Sequence, residues 1–228
     1  MNPLQYYLYQ PEWELSPHQI EAFEALFAST PAGGWIDYQL AAPKWQFLSY
    51  LCRSKDLVLH GSQNLEIEVV EPRQALDVKA YSNQNAIYAA ADGIWVIYYA
   101  IIDRQNFSPL SLFNACFHLQ ISPEVNQGPY YFFSLTHSAL IRKPWCDGAI
   151  YILPRATFEQ EPAQSMMGAK IVFPHWISPQ AARPAAKLLV HPEDFPFLAQ
   201  VHGHDDEKLA QLAAANPNGY PWPEAWVS

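Results

Sequence analysis

Apolar positions along this chain follow two rhythms, and the change between them marks the elements. Between Pro17 and Ala28, the residues Ile20, Ala22, Phe23, Leu26 and Phe27 recur at helical spacing. Ser16-Pro17-His18-Gln19 supplies a cap, a proline at the first helical position and a capping-box Gln. Ser29 to Gly34 is turn chemistry and ends that helix. A second helix is expected from Pro43 to Arg53, with Trp45, Leu48, Leu51 and Cys52 on its apolar side. Residues 4–10 read as a first edge strand. Residues 1–55 as a whole read as a helical cap on the core.

From Leu57 the runs shorten and become β-prone. Leu57-Val58-Leu59 reads as a strand that stops at a His60-Gly61-Ser62 turn, and Ala86-Ile87-Tyr88 as a second strand. Asp92 then caps an unbroken apolar segment, Ile94 to Ile102, which reads as a buried helix. Further strands are expected over Leu112–Ile121, Tyr130–Leu135, Ala149–Leu153, Lys170–Phe173 and Lys187–Val190. Prolines between them keep the strands short. Strands in succession with few helices between them indicate an α+β fold and not a doubly wound parallel sheet. Asp205-Asp206 caps a last helix over Glu207–Ala215, stopped by Asn216-Pro217-Asn218-Gly219. The tail carries Trp222 and Trp226 among prolines and is expected to dock on the body. The reading is one domain: a cap (1–55), an α+β core (56–190), and a C-terminal helix with its tail (191–228).

Composition narrows the function classes. Half of the 228 residues are hydrophobic and 14% aromatic, enough for a sizeable core. The net charge of −9 is concentrated at the ends, −4 in residues 1–50 and −5 in residues 191–228, while residues 51–190 are neutral. An acidic chain with no Lys/Arg cluster is a poor nucleic-acid binder, because phosphate contacts carry that affinity. The neutral middle leaves room for a small anionic ligand. No run reaches the roughly 20 apolar residues of a membrane span. The first residues lack the basic start and apolar stretch of a signal peptide. Cys52, Cys116 and Cys146 are odd in number and lie far apart, which fits reduced thiols and a cytoplasmic location.

The chemistry centres on His60 and Tyr88. A histidine at a strand end, followed by Gly61 and Ser62, can bond a ribose hydroxyl while the glycine lets a ligand approach the backbone. A tyrosine on a neighbouring strand can stack on a flat heterocycle. Each also has a plain structural reading, as a histidine satisfied by backbone and a core tyrosine. His202-Gly203-His204-Asp205-Asp206 could ligate a divalent ion, but reads better as a polar loop entering a capped helix, so no metal is assigned. There is no Gly-x-Ser-x-Gly elbow, no phosphate loop and no His-Glu-x-x-His.

Leu59-His60-Gly61-Ser62, then Glu71-Pro72-Arg73, then Ala86-Ile87-Tyr88-Ala89 with Asp92 and the apolar helix, taken in that order, resemble the His-Tyr-Glu branch of the ADP-ribosyltransferase superfamily. That branch includes the poly(ADP-ribose) polymerase catalytic domains, the diphtheria-type toxins and the NAD-using RNA 2′-phosphotransferases. The resemblance implies a split, mostly antiparallel sheet and NAD as substrate, with ADP-ribose passed to an unknown acceptor, a protein among them, and nicotinamide released. It implies that His60 holds a ribose, that Gly61 and Ser62 shape the nicotinamide site, and that Tyr88 stacks on the ring with help from Tyr98 or Tyr99. Arg73 and Ala89 complete the implied cofactor-binding set. The third, acidic position of the family has no clear counterpart: Glu159 and Glu161 read as loop, and His175 stands where a strand residue is expected. The alternative is a module that binds NAD or ADP-ribose without turnover, or works as an interaction protein.

Overall fold

In a computed structural model the chain is described over residues 4–74, 81, 83–122, 124–166, 168–216 and 219–227. Its elements run β1 (Leu8–Tyr9), α1 (Pro17–Ser29), α2 (Lys44–Ser54), β2 (Leu57–Ser62), β3 (Arg73–Gln74), β4 (Asn85–Ala90), α3 (Gly93–Ala100), β5 (Leu112–Gln120) and β6 (Asn126–Thr136). They continue with α4 (His137–Leu140), β7 (Gly148–Pro154), β8 (Glu159–Gln160), β9 (Gln164–Met166), β10 (Ala169–Val172), β11 (His175–Ser178), β12 (Ala186–Val190), β13 (His202–His204), α5 (Asp206–Ala215) and β14 (Trp226–Val227).

The strands make two seven-stranded sheets. Sheet I has the order β14-β13-β6-β5-β10-β9, with β1 also on β6; sheet II has the order β12-β7-β2-β4-β11-β8, with β3 also on β4. All the named pairings are antiparallel except β13 on β6. The fold is α+β and dominated by its sheets. The chain passes repeatedly between the sheets, so neither is complete until the whole core has assembled.

Between the sheets lies the main core. Leu57, Leu59, Ile150, Ile152 and Leu188 from sheet II meet Cys116, Tyr131, Phe133 and Leu135 from sheet I, with α2 and α3 among them. Helix α3 is apolar all round, as its burial demands, and all its residues but Tyr99 are buried. Its first turn is capped by the buried Asp92, whose Oδ1 accepts from the backbone N–H groups of Ile94 and Trp95 at 3.0 and 2.7 Å. Tyr131 of sheet I donates its hydroxyl to Oδ2 of the same carboxylate at 2.7 Å. Burial pushes the Asp92 carboxyl up, and these hydrogen bonds oppose that shift. Glycines let the backbones come this close. A Cβ on Gly61 would lie 2.5 Å from the Val96 carbonyl, and one on Gly148 would collide with the Ala100 carbonyl.

The second face of sheet II carries a smaller cluster, Val58, Ile87, Ala89, Ala149, Tyr151, Leu153 and Phe158. The tail docks as expected: Trp226 stacks on His202 and Phe132, and Trp222 is buried against Phe113. Capping matches the sequence reading at Ser16 with Gln19 and at Asp205, whose side chain accepts from the Lys208 N–H. One expectation is corrected. His60-Gly61-Ser62 is not a turn but the end of β2, held by its register with Tyr151, Ile150 and Ala149 of β7. Among the described residues no helix is long and apolar enough to cross a membrane. The loop expected between Gln74 and Gln84 lies mostly outside the described residues.

Gly148→Ala should cost about 3 kcal/mol in denaturant unfolding, the upper end for overpacking a closed core. A loss below about 1 kcal/mol would mean that α3 does not bear on β7 as closely as described.

Candidate functional site

The ladder between β2 and β4 is one residue pair long, Leu59 with Ala90. Beyond it β2 runs on against β7, and β4 runs against β11. The sheet splits there, and His60 bridges the split: its Nδ1 lies 2.7 Å from the Tyr88 carbonyl oxygen. A carbonyl only accepts, so Nδ1 carries the hydrogen and the neutral ring offers Nε2 as an acceptor. Burial lowers the His60 pKa, and the charges of Arg73 and Arg104 lower it further against the opposing bond to Tyr88. Among the described residues Nε2 has no hydrogen-bond partner.

The two side chains that the sequence singles out therefore meet through backbone, and their rings leave opposite faces of the sheet. Side chains alternate along a strand. Leu59 and Ala90 belong to the core between the sheets, so His60 falls on the other face, where it packs 6.3 Å from the Tyr151 ring. Tyr88, two residues before Ala90, faces α3. Its hydroxyl donates to the Gln84 carbonyl at 2.9 Å and accepts from the Gln84 N–H at 2.8 Å, which fixes the ring.

Beside Tyr88 stands His175, the first residue of β11 and the register partner of Ala90. The chain crosses from sheet I to sheet II at Phe173-Pro174. Pro174 has no N–H to extend β10, and its carbonyl accepts from the Ala91 N–H at 2.7 Å. Three aromatic rings surround the His175 imidazole: Tyr81 at 5.3 Å, Tyr88 at 5.7 Å and Trp95 at 5.8 Å between centroids. Nδ1 of His175 lies 3.1 Å from Oε2 of Glu161, which is buried. Backbone fixes this pair as well, because the Glu161 N–H donates to the His175 carbonyl at 2.9 Å. From α3, Trp95 Nε1 and the Tyr99 hydroxyl both donate to Oδ1 of Asn114, at 2.6 and 3.0 Å.

The remaining candidates separate clearly. Gly61 is required by α3, which occupies the space in front of its α-carbon. Only its backbone edge toward the split is left for a ligand. Ser62 Oγ accepts from the Asn64 N–H at 3.1 Å and shapes the exit from β2. Arg73 is exposed on β3, and Ala89 is buried in the smaller cluster. Tyr98 is corrected to a core residue: it is fully buried against Phe133 and Phe195 and donates to the Ser134 carbonyl. Tyr99 stays half-buried, with the Arg104 guanidinium 5.6 Å from its ring. Glu161, Trp95 and Tyr81 form the surroundings of His175, a grouping that the sequence does not signal. Glu161 sits just before a proline in Glu159-Gln160-Glu161-Pro162, where no periodicity marks it.

His202 and His204 are each engaged by neighbouring side chains. His202 stacks 4.1 Å from Trp226. His204 bonds Ser134 through Nδ1 and Asp206 through Nε2, the latter at 3.0 Å. Ser134 and His204 are fully enclosed, so this Ser-His-Asp chain ties β6, β13 and α5 together without access for a substrate. Among the described residues no group of three or more His, Cys, Asp or Glu side chains is placed to hold a metal ion. Two surface concavities, of about 710 and 320 Å³, lie around Trp13–Arg53 and Lys44–Asp194, away from His60 and His175. No protein-family model, no curated protein and no solved structure matches the chain.

His60, His118, His202 and His204 are all held below the ordinary imidazole value of 6.5, with burial the main cause. They are neutral in the fold and take up protons more readily when unfolded. Their contribution to stability is complete above pH 6.5 and is lost as the pH falls below it toward their folded values. Asp92, pushed up, has the opposite sign and acts in the carboxylate range. The melting temperature should therefore fall as the pH drops below 6.5; a midpoint that holds steady through mild acid contradicts the buried neutral histidines.

Proposed function

We propose that the split between β2 and β4 binds NAD or ADP-ribose, and that the protein is an ADP-ribosyltransferase-like transferase releasing nicotinamide. The observation that carries this reading is the state of His60. Its ring is held neutral with Nδ1–H on the Tyr88 carbonyl, leaving Nε2 to accept from a ribose hydroxyl. Arg73 and Arg104 both act on that ring, and among the described residues neither guanidinium is in an ion pair. They supply cations for a diphosphate in an otherwise acidic chain. On the other face Tyr88, with its hydroxyl fixed, offers a ring for a heterocycle that threads the split. Glu161, bonded to His175, supplies the carboxylate that the sequence lacks at a recognisable position. From behind the His175 ring its negative charge would favour, at one remove, the positive character that develops when the bond to nicotinamide breaks.

A binding module without turnover is the second reading, favoured by the rings of His60 and Tyr88 lying on opposite faces. Calorimetric titration of NAD into wild type and Tyr88→Ala tests the shared premise. The wild type should bind, and the variant should bind at least about 1 kcal/mol more weakly. No heat at millimolar NAD removes both nucleotide readings.

A further inference from the structure

We infer that the Glu161–His175 pair is a proton acceptor for the attacking group, so that the acceptor of this transferase is a hydroxyl compound, water included; this rests on the nucleotide reading above. A carboxylate accepts, so the 3.1 Å contact places hydrogen on Nδ1 of His175 and leaves Nε2 as the basic nitrogen of the neutral ring. Among the described residues Nε2 has no partner, and it is not among the buried polar atoms left unpaired. Glu161 orients the ring and offsets the positive charge that the ring gains with a proton, the usual division of labour in a carboxylate–imidazole pair. The surroundings suit that gain. Tyr81, Tyr88 and Trp95 ring the imidazole, and aromatic groups attract a cation. Among the described residues the titratable groups seen against His175 are Glu161, Tyr81 and Tyr88.

The step balances without a further reactant. The bond between the ribose anomeric carbon and the nicotinamide nitrogen breaks, and its electron pair stays on the nitrogen and neutralises the pyridinium. The acceptor oxygen bonds the anomeric carbon, and its proton passes to Nε2 of His175 and then to solvent. His175 is the catalytic residue of this step, and Glu161 is a positioning residue. An acceptor that carries no proton needs no base, and that difference provides the test.

The 228-residue chain is given millimolar NAD with either methanol or azide, and methyl and azido ADP-ribose are quantified by mass spectrometry. Wild type should form both products. His175→Gln, which can still donate to Glu161, should lose about 10²-fold of methyl product, the usual worth of a general base, and far less of the azido product. In the wild type the ratio of methyl to azido product should fall as the pH drops, because only the protic acceptor depends on a base. Equal losses of both products in His175→Gln, or a ratio that ignores pH in wild type, overturn the inference; the second measurement needs no variant to fold. Wild type that binds NAD but forms neither product overturns the inference and leaves the binding reading standing. Absence of NAD binding removes that reading and the inference with it.

Discussion

Burial of α3 between two sheets is the constraint on which the rest of the structure depends. An eight-residue helix with apolar side chains on every side has no stable place at a surface. Enclosing it leaves its first N–H groups to be satisfied without water, and Asp92 does this with one oxygen while the other takes the Tyr131 hydroxyl. One carboxylate thus links a helix start, a strand end of sheet II and the middle of sheet I. Unpaired, it would be a costly buried charge; with three donors it orients the elements around it. Gly61 and Gly148 answer the same requirement, because their strands pass against the backbone of α3.

The candidate site is a consequence of this packing. With α3 pressed on Gly61, β2 and β4 share a single ladder pair, and a histidine side chain takes over where backbone pairing stops. Trp95 and Tyr99, on the side of the helix toward β5, are fixed by one shared acceptor, Asn114. The crossing of the chain at Pro174 then delivers His175 beside Tyr88, with Glu161 behind it. Rigid elements supply nearly every group, which keeps their geometry from depending on loop order.

Much of this is legible in the sequence, for identifiable reasons. Helices α1, α2, α3 and α5 carry local signals (Ser16 with Gln19, the Trp45–Leu48–Cys52 side, Asp92, Asp205) that act over a few residues. Long strands such as β5, β6, β7 and β12 show as apolar runs. The two-residue and three-residue strands β3, β8, β9, β13 and β14 carry no such signal, since their pairing is set by distant partners. The end of β2 reads wrongly as a turn because Gly61 looks like a turn residue, whereas it is there to admit a helix. Strand β11 is hidden by Pro174, which breaks one ladder just where another begins. Parity is also out of reach: that His60 and Tyr88 leave opposite faces depends on the Leu59–Ala90 register, which only the folded sheet defines. The pairing of Glu161 with His175 depends on the same long-range register.

The most direct test of the site is hydrogen exchange measured by mass spectrometry with and without NAD. Peptides spanning Leu57–Ser62 and Asn85–Ala90 should gain protection when NAD is present, because a ligand in the split shields the strand edges that lack ladder partners. Peptides from β13 and α5, tied by His204 on the far sheet, should not change. Protection confined to that second region, or to none, contradicts a nucleotide site at the split.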